Sequence, residues 1–144
     1  MTSTTALVVD TWGWLTLRDR REKRHIEVKQ AFDQFLRSKA DIITTDFVLD
    51  ETFTLLFRRL PFNEAKDSME HLSGSIAINE IAAVPIIPAR FKAAQELRLK
   101  FKDKPQISFT DLSSMVVMRE LKIRRILTED KHFEHVGFGF ELLA

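Results

Sequence analysis

Ala6-Leu7-Val8-Val9-Asp10-Thr11-Trp12-Gly13-Trp14 is the stretch on which the fold turns. A short run rich in β-branched residues, apolar at every position and closed by an aspartate, has the look of a parallel strand buried on both faces. Thr11 to Trp14 is then expected to turn the chain. Working outward, Ile26, Val28, Ala31, Phe32, Phe35 and Leu36 are spaced to share one apolar helix face after the charged stretch from Arg18 to Arg24. Asp41-Ile42-Ile43-Thr44 reads as the next strand.

The same alternation continues to the end of the chain. Asp46 suits the N-cap of a helix from about Phe47 to Arg59, ended by Pro61, which disfavours helical geometry in the residue before it. A further helix runs from Pro61 to about Leu72, with Ser73-Gly74-Ser75 as its expected stop. Ile81 to Ile87 is a third strand, placed at an edge or cut short by Pro85. A helix from about Pro88 to Lys100, a polar loop over Lys102 to Gln106, and a helix capped by Ser108 or Thr110 come next. Arg125-Ile126-Leu127-Thr128 is the fourth strand, and the tail Val136-Gly137-Phe138-Gly139-Phe140-Glu141-Leu142-Leu143 offers a short fifth. Strands alternating with helices predict a parallel sheet covered by helices, with ligands gathering at the carboxyl ends of the strands.

At 144 residues and 16.8 kDa the chain is the size of one ordinary domain, here taken as residues 1–144. Lys and Arg number 22 against 21 Asp and Glu, so a nucleic-acid role has to rest on local charge and not on the net value of +1. With no cysteine there are no disulfides, thiolate nucleophiles or zinc-thiolate sites, which suits a cytoplasmic protein. Neither a secretory signal nor a membrane-spanning apolar segment is expected.

Acidic residues fall where such a fold brings strand ends together: Asp10, Asp50 or Glu51, Asp111, and Glu129 or Asp130. Neighbours on a helix diverge by about 100°, so each adjacent pair supplies one well-aimed carboxylate. Two carboxylates about 4 Å apart repel by roughly 4 kcal/mol at an effective dielectric of 20. A divalent cation relieves that repulsion, and hard oxygen donors select Mg²⁺ or Mn²⁺.

Taken together, these features resemble the PIN domain family of metal-dependent ribonucleases, and within it the VapC toxins of toxin-antitoxin pairs. The likeness rests on Val8-Val9-Asp10-Thr11 at a strand end, Glu51 early in the helix after the second strand, Asp111 opening the penultimate helix, and Thr128-Glu129-Asp130-Lys131-His132-Phe133. It implies a three-layer α/β/α domain with a central parallel sheet of four to five strands. It also implies Asp10, Asp111 and Asp130 as metal ligands, with Glu51 as a fourth carboxylate that holds a second ion or orients the attacking water. Alignment to the family prefers Glu51 to Asp50 and Asp130 to Glu129. Thr11 and Thr128 support the site through their hydroxyls. The expected reaction is phosphodiester hydrolysis of RNA, leaving a 5′-phosphate and a 3′-hydroxyl. The expected partners are a VapB-like antitoxin and a second copy of the chain.

Around this core the residues leave choices. Trp12 stands where the family often has a small residue, and it either stacks on an RNA base or joins Trp14 in the core. Arg18, Arg20, Arg21, Lys23 and Arg24, and Arg98, Lys100, Lys102 and Lys104, either flank the acidic pocket and hold phosphates or cover solvated faces, with Arg18, Arg20, Arg21, Lys100 and Lys102 the chosen RNA contacts. Arg58-Arg59 reads as surface charge, and His25, His71, His132 and His135 as surface or interface residues. No glycine-rich first turn exists for a dinucleotide-binding fold, and Trp12 stands where a haloacid-dehalogenase-type phosphatase needs a second aspartate. A receiver domain is excluded by Ile86-Ile87-Pro88 where its phosphoacceptor belongs. Besides the nuclease toxin, two readings remain: a PIN-like module that binds RNA or protein with little catalysis, and a nuclease that processes RNA without being a toxin.

Overall fold

In the computed structural model, which describes residues 6–143, β1 (Ala6–Val9) forms the middle strand of a parallel sheet. There follow α1 (Thr11–Arg18), α2 (His25–Arg37), β2 (Asp41–Thr45), α3 (Asp46–Arg59), α4 (Phe62–Ala77), β3 (Ile81–Val84), α5 (Pro88–Lys100), α6 (Phe109–Leu121), β4 (Arg125–Leu127), α7 (His132–His135) and β5 (Glu141–Leu142). The order across the 5-stranded sheet is β3-β2-β1-β4-β5, every pair parallel. The order in which strands are added therefore reverses at β1, where β2 lies on one side and β4 on the other. This is the position at which an open α/β sheet forms a crevice.

Successive side chains of a strand point to opposite faces, and β1 serves both. Ala6 and Val8 join Ile43 and Ile126 against Ala94 and Leu97 of α5, Leu112 and Met115 of α6, and Phe133 of α7. Leu7 and Val9 join Ile42, Ile81 and Leu127 against Trp14 of α1, Val28 of α2 and Leu72 of α4. The result is a three-layer α/β/α arrangement. Trp14 is fully buried on the second face, where its indole Nε1 donates to Thr44 Oγ1 at 3.2 Å.

Several boundaries differ from expectation for local reasons. Thr11 to Trp14 is the first turn of α1, because Asp10 caps that helix and no turn is needed. Asp46 is not the cap of α3: Thr45 is, its hydroxyl accepting from the Val48 amide at 3.0 Å. Asp46 Oδ1 instead accepts from the Ile86 amide at 2.9 Å and so ties the β3–α5 link to the start of α3. α4 continues through Ser73-Gly74-Ser75 to Ala77, since Gly74 faces solvent and helical geometry leaves it unconstrained. β3 lies at the sheet edge and ends before Pro85. On α2, Val28 turns inward while Ile26 stays 71% exposed, so the apolar face is narrower than the spacing suggests.

Candidate active site

Val9 of β1 pairs with Leu127 of β4, and the Asp10 amide donates to the Leu127 carbonyl at 3.4 Å, so both strands leave the sheet together. Asp10 and the Thr128–Asp130 segment are thereby placed side by side. Asp10 is only 5% exposed, and its Oδ1 accepts from the Gly13 amide at 2.9 Å. This one side chain both caps α1 and lines the pocket.

Thr128, fully buried, links two of the acids. Its hydroxyl donates to Asp10 and accepts from the Asp130 amide at 3.1 Å. α3 leaves the end of β2 directly, which brings Glu51, on its second turn, to the same crevice. There the Thr11 hydroxyl donates to Glu51 Oε1. Asp111 occupies the first turn of α6, where Ser108 Oγ accepts from its amide at 3.0 Å. Asp10, Glu51, Asp111 and Asp130 line one cavity of about 600 Å³ together with Thr11, Trp12 and Thr128. Glu51 faces this cavity and Asp50 is exposed outside it. Glu129 also borders it, but its exposed carboxylate reaches toward Arg24 Nη1 at 3.8 Å.

Crowding of like charge marks the electrostatics. Burial pushes the Asp10 carboxyl up to about 7, with Asp130 and Glu51 adding to the rise against the hydrogen bonds from Thr128 and Gly13. Asp111 is raised for the same reasons: burial first, then the charges of Asp10, Asp130 and Glu51, and a hydrogen bond to Asp130 that needs a shared proton. Among the described residues, no group of three or more His, Asp or Glu side chains forms a ready-made metal-holding cluster. The donor set nonetheless fits a hard divalent cation. It consists of carboxylate oxygens in a shared pocket, where burial first and the neighbouring carboxylates second disfavour the charged forms of Asp10 and Asp111, a penalty that a bound cation relieves.

The remaining sequence candidates are dispersed. Trp12 lines the acidic cavity, partly buried against the core, with the Arg24 guanidinium 5.4 Å from its ring centroid. Only Trp14 of the two tryptophans is a full core residue. Arg18 and Arg20 line a separate groove with Trp14, Phe32 and Leu72, and with Arg21 they border a second hollow beside α4. Arg18 Nε donates to Ser68 Oγ at 3.1 Å. Lys100, at the end of α5, lies 5.4 Å from the Phe138 ring centroid, and Lys102 is exposed in the following loop. None of these five cations lines the acidic cavity, whereas Arg24, from the same basic stretch as Arg18 to Arg21, reaches Glu129 and the Trp12 ring at its edge.

Other side chains do reach it. Arg59, Gln106, Ser108 and Lys131 line its walls. Arg59 follows Glu51 and Leu55 at four-residue intervals on α3, a stripe legible from helical spacing alone. Reading Arg58-Arg59 as one surface pair hid it. His132 lies against Asp130, its amide donating to Asp130 Oδ1 at 2.9 Å and its Nδ1 2.9 Å from the same oxygen.

Comparison with known proteins places this geometry. The chain is 29% identical over 133 residues to the 23S rRNA-specific endonuclease VapC20 of Mycobacterium tuberculosis, in strains CDC 1551 / Oshkosh and H37Rv. The match covers 92% of this chain and 95% of that protein. The crystal structure of M. tuberculosis VapC20, described as a sarcin-ricin loop cleaving toxin, superposes with a TM-score of 0.77 at 26% identity, covering 92% of this chain and 96% of the other. The sequence profile of the PIN domain matches residues 7–139. With that profile spanning β1 to the residues before β5, and the acids at the carboxyl end of its sheet, the chain belongs to the PIN domain family.

Proposed function

We propose that the chain is a metal-dependent endoribonuclease of the VapC type, acting in the cytoplasm on structured RNA such as the sarcin-ricin loop of 23S rRNA. The observation that carries this reading is the meeting of Asp10, Glu51, Asp111 and Asp130 in one cavity. The likeness to a 23S rRNA-specific endonuclease over 92% of the chain supports the substrate class. A VapB-like antitoxin and a second copy of the chain are the partners that accompany it.

Asp10, Asp111 and Asp130 would hold a Mg²⁺ or Mn²⁺ ion, with Glu51 as the fourth carboxylate. Such an ion, when bound, supplies charge neutralisation at the scissile phosphate and activation of water. The residues of the chain do the positioning. Thr128 fixes Asp10 through its hydroxyl and Asp130 through the amide it accepts from. The Gly13 amide fixes Asp10 from the other side. Thr11 holds one oxygen of Glu51 and leaves the other to orient a water for in-line attack.

The second reading is a PIN-like module that binds RNA or protein with little catalysis. Incubation of the protein with a 23S rRNA fragment containing the sarcin-ricin loop separates the two. Cleavage with Mg²⁺ or Mn²⁺, stopped by EDTA and by Asp10→Asn or Asp130→Asn, is expected. Binding without cleavage would support the module, and cleavage by both variants equal to that of wild type would sink the assignment of catalysis to these carboxylates.

A further inference from the structure

The acidic cavity is not uniform along its length. Besides the four carboxylates, its walls carry the apolar residues Trp12, Leu15 and Leu55, together with Arg59. On α3 the order Glu51, Leu55, Arg59 runs along one stripe, so Arg59 stands about 12 Å along the helix from the acid. Several other arginines have an anionic or carbonyl partner: Arg21 with Asp19, Arg24 with Glu27, Arg90 with Glu120, Arg98 with the Ile107 carbonyl. Arg59 has no ion pair among the described residues, and it is exposed at the rim of a pocket full of negative charge.

An acidic pocket repels the backbone of a nucleic acid. A strand crossing it therefore needs cationic contacts outside the catalytic cluster, and Arg59 is placed for one. Between the acids and the arginine, the apolar floor is the surface on which an unpaired base stacks. Trp12 lines the cavity while packing partly against the core, with the Arg24 guanidinium 5.4 Å from its ring centroid.

We infer that this cavity contains a nucleotide subsite next to the scissile bond, in which Trp12 and Leu55 carry an unpaired base and Arg59 holds the phosphate belonging to it. Arg59 is a positioning residue for RNA and takes no part in bond breaking. The inference rests on the nuclease reading for its substrate, but its test does not depend on cleavage.

Binding of a fluorescent 23S rRNA fragment containing the sarcin-ricin loop is measured in EDTA over a range of salt, for wild type, Arg59→Ala, Arg59→Lys, and Arg58→Ala as control. Arg59→Ala is expected to bind about tenfold more weakly, as the loss of one charge-assisted contact implies. Its log–log salt slope should be shallower by about 0.7, the value for one single-stranded phosphate. Arg59→Lys should recover the slope, and Arg58→Ala should match wild type. RNAs carrying one neutral methylphosphonate linkage at each position of the loop in turn then locate the contact: one position should weaken wild type and leave Arg59→Ala unaffected. An abasic nucleotide at the same position should weaken wild type more than Trp12→Leu. Unchanged affinity and slope in Arg59→Ala, or equal responses of wild type and variant at every linkage, would overturn the subsite. Binding that shows the Arg59 signature without any cleavage in Mg²⁺ or Mn²⁺ would overturn the nuclease reading and leave the subsite standing.

Discussion

At Thr128 one hydroxyl donates to the Asp10 carboxylate while accepting from the Asp130 amide, so a single buried side chain sets the spacing of two candidate ligands. Thr128→Val keeps the shape and removes both contacts. Cleavage by this variant is expected to fall by roughly 10–100-fold, the usual effect of removing a partner that orients a metal ligand. Asp10→Asn should cost more than that under the same conditions, and a smaller loss for Asp10→Asn than for Thr128→Val would reverse their assigned roles. Asp10 also makes a prediction about stability. Its carboxyl sits at about 7 in the fold against 3.8 for the ordinary group, so the native state holds its proton more tightly than the unfolded chain does. In EDTA, stability is therefore greatest at low pH in this respect and declines as pH rises from about 4 to about 7. Thermal unfolding of Asp10→Asn should show a flatter decline over that window, and an equally steep one would refute the link. The choice of Glu51 over Asp50, which spacing left open, follows from α3 starting at Asp46 with Thr45 as its cap: that phase turns position 51 toward the cavity.

At the scale of elements, α1 lies unusually close to the sheet. A Cβ on Gly13 would meet Val9 Cγ1 at 2.7 Å and the Leu127 carbonyl oxygen at 2.8 Å, and the second contact is backbone that cannot give way. Gly13→Ala is expected to push α1 off β1 and β4 and to destabilise the fold by about 1–3 kcal/mol. Because the Gly13 amide holds Asp10, cleavage should drop as well. Gly74 is the contrast, since a Cβ there meets nothing within 4 Å and the residue is mid-helix in α4. Gly74→Ala should stabilise by about 0.4–1 kcal/mol with cleavage unchanged. Urea midpoints of the two variants decide this, and movement in the same direction would contradict the packing described. Both glycines look alike as sequence, one in an expected turn and one in an expected stop. Only their surroundings separate them, because a close approach between helix and sheet leaves no local mark in the chain.

For the whole molecule, folding and the reading of the site as a cation site are coupled through the same carboxylates. Burial and mutual repulsion make the four acids unfavourable when deprotonated together, so Mn²⁺ should raise the unfolding temperature more at pH 8 than at pH 5, where protons compete for the same oxygens. Each kcal/mol gained corresponds to roughly 2–4 °C at this size. A metal-induced shift independent of pH, or one that survives Asp10→Asn, would contradict a site built on these groups. The alternation of apolar strand and amphipathic helix, the apolar run ending in Asp10, and the order of the acids along the chain were all legible in the sequence, since they depend on local periodicity and on which residue types tolerate burial. The strand order β3-β2-β1-β4-β5 was not, and it is what sets Asp10 beside Thr128 and Asp130. The basic residues show the same division most clearly. Nearness in sequence to Asp10 and Asp111 pointed to Arg18, Arg20, Arg21, Lys100 and Lys102, whereas the cavity receives Arg59 and Lys131. Local chemistry determines what each segment becomes; which charges share a pocket is decided by how the helices pack on the two faces of the sheet, a property of the folded chain and of no segment within it.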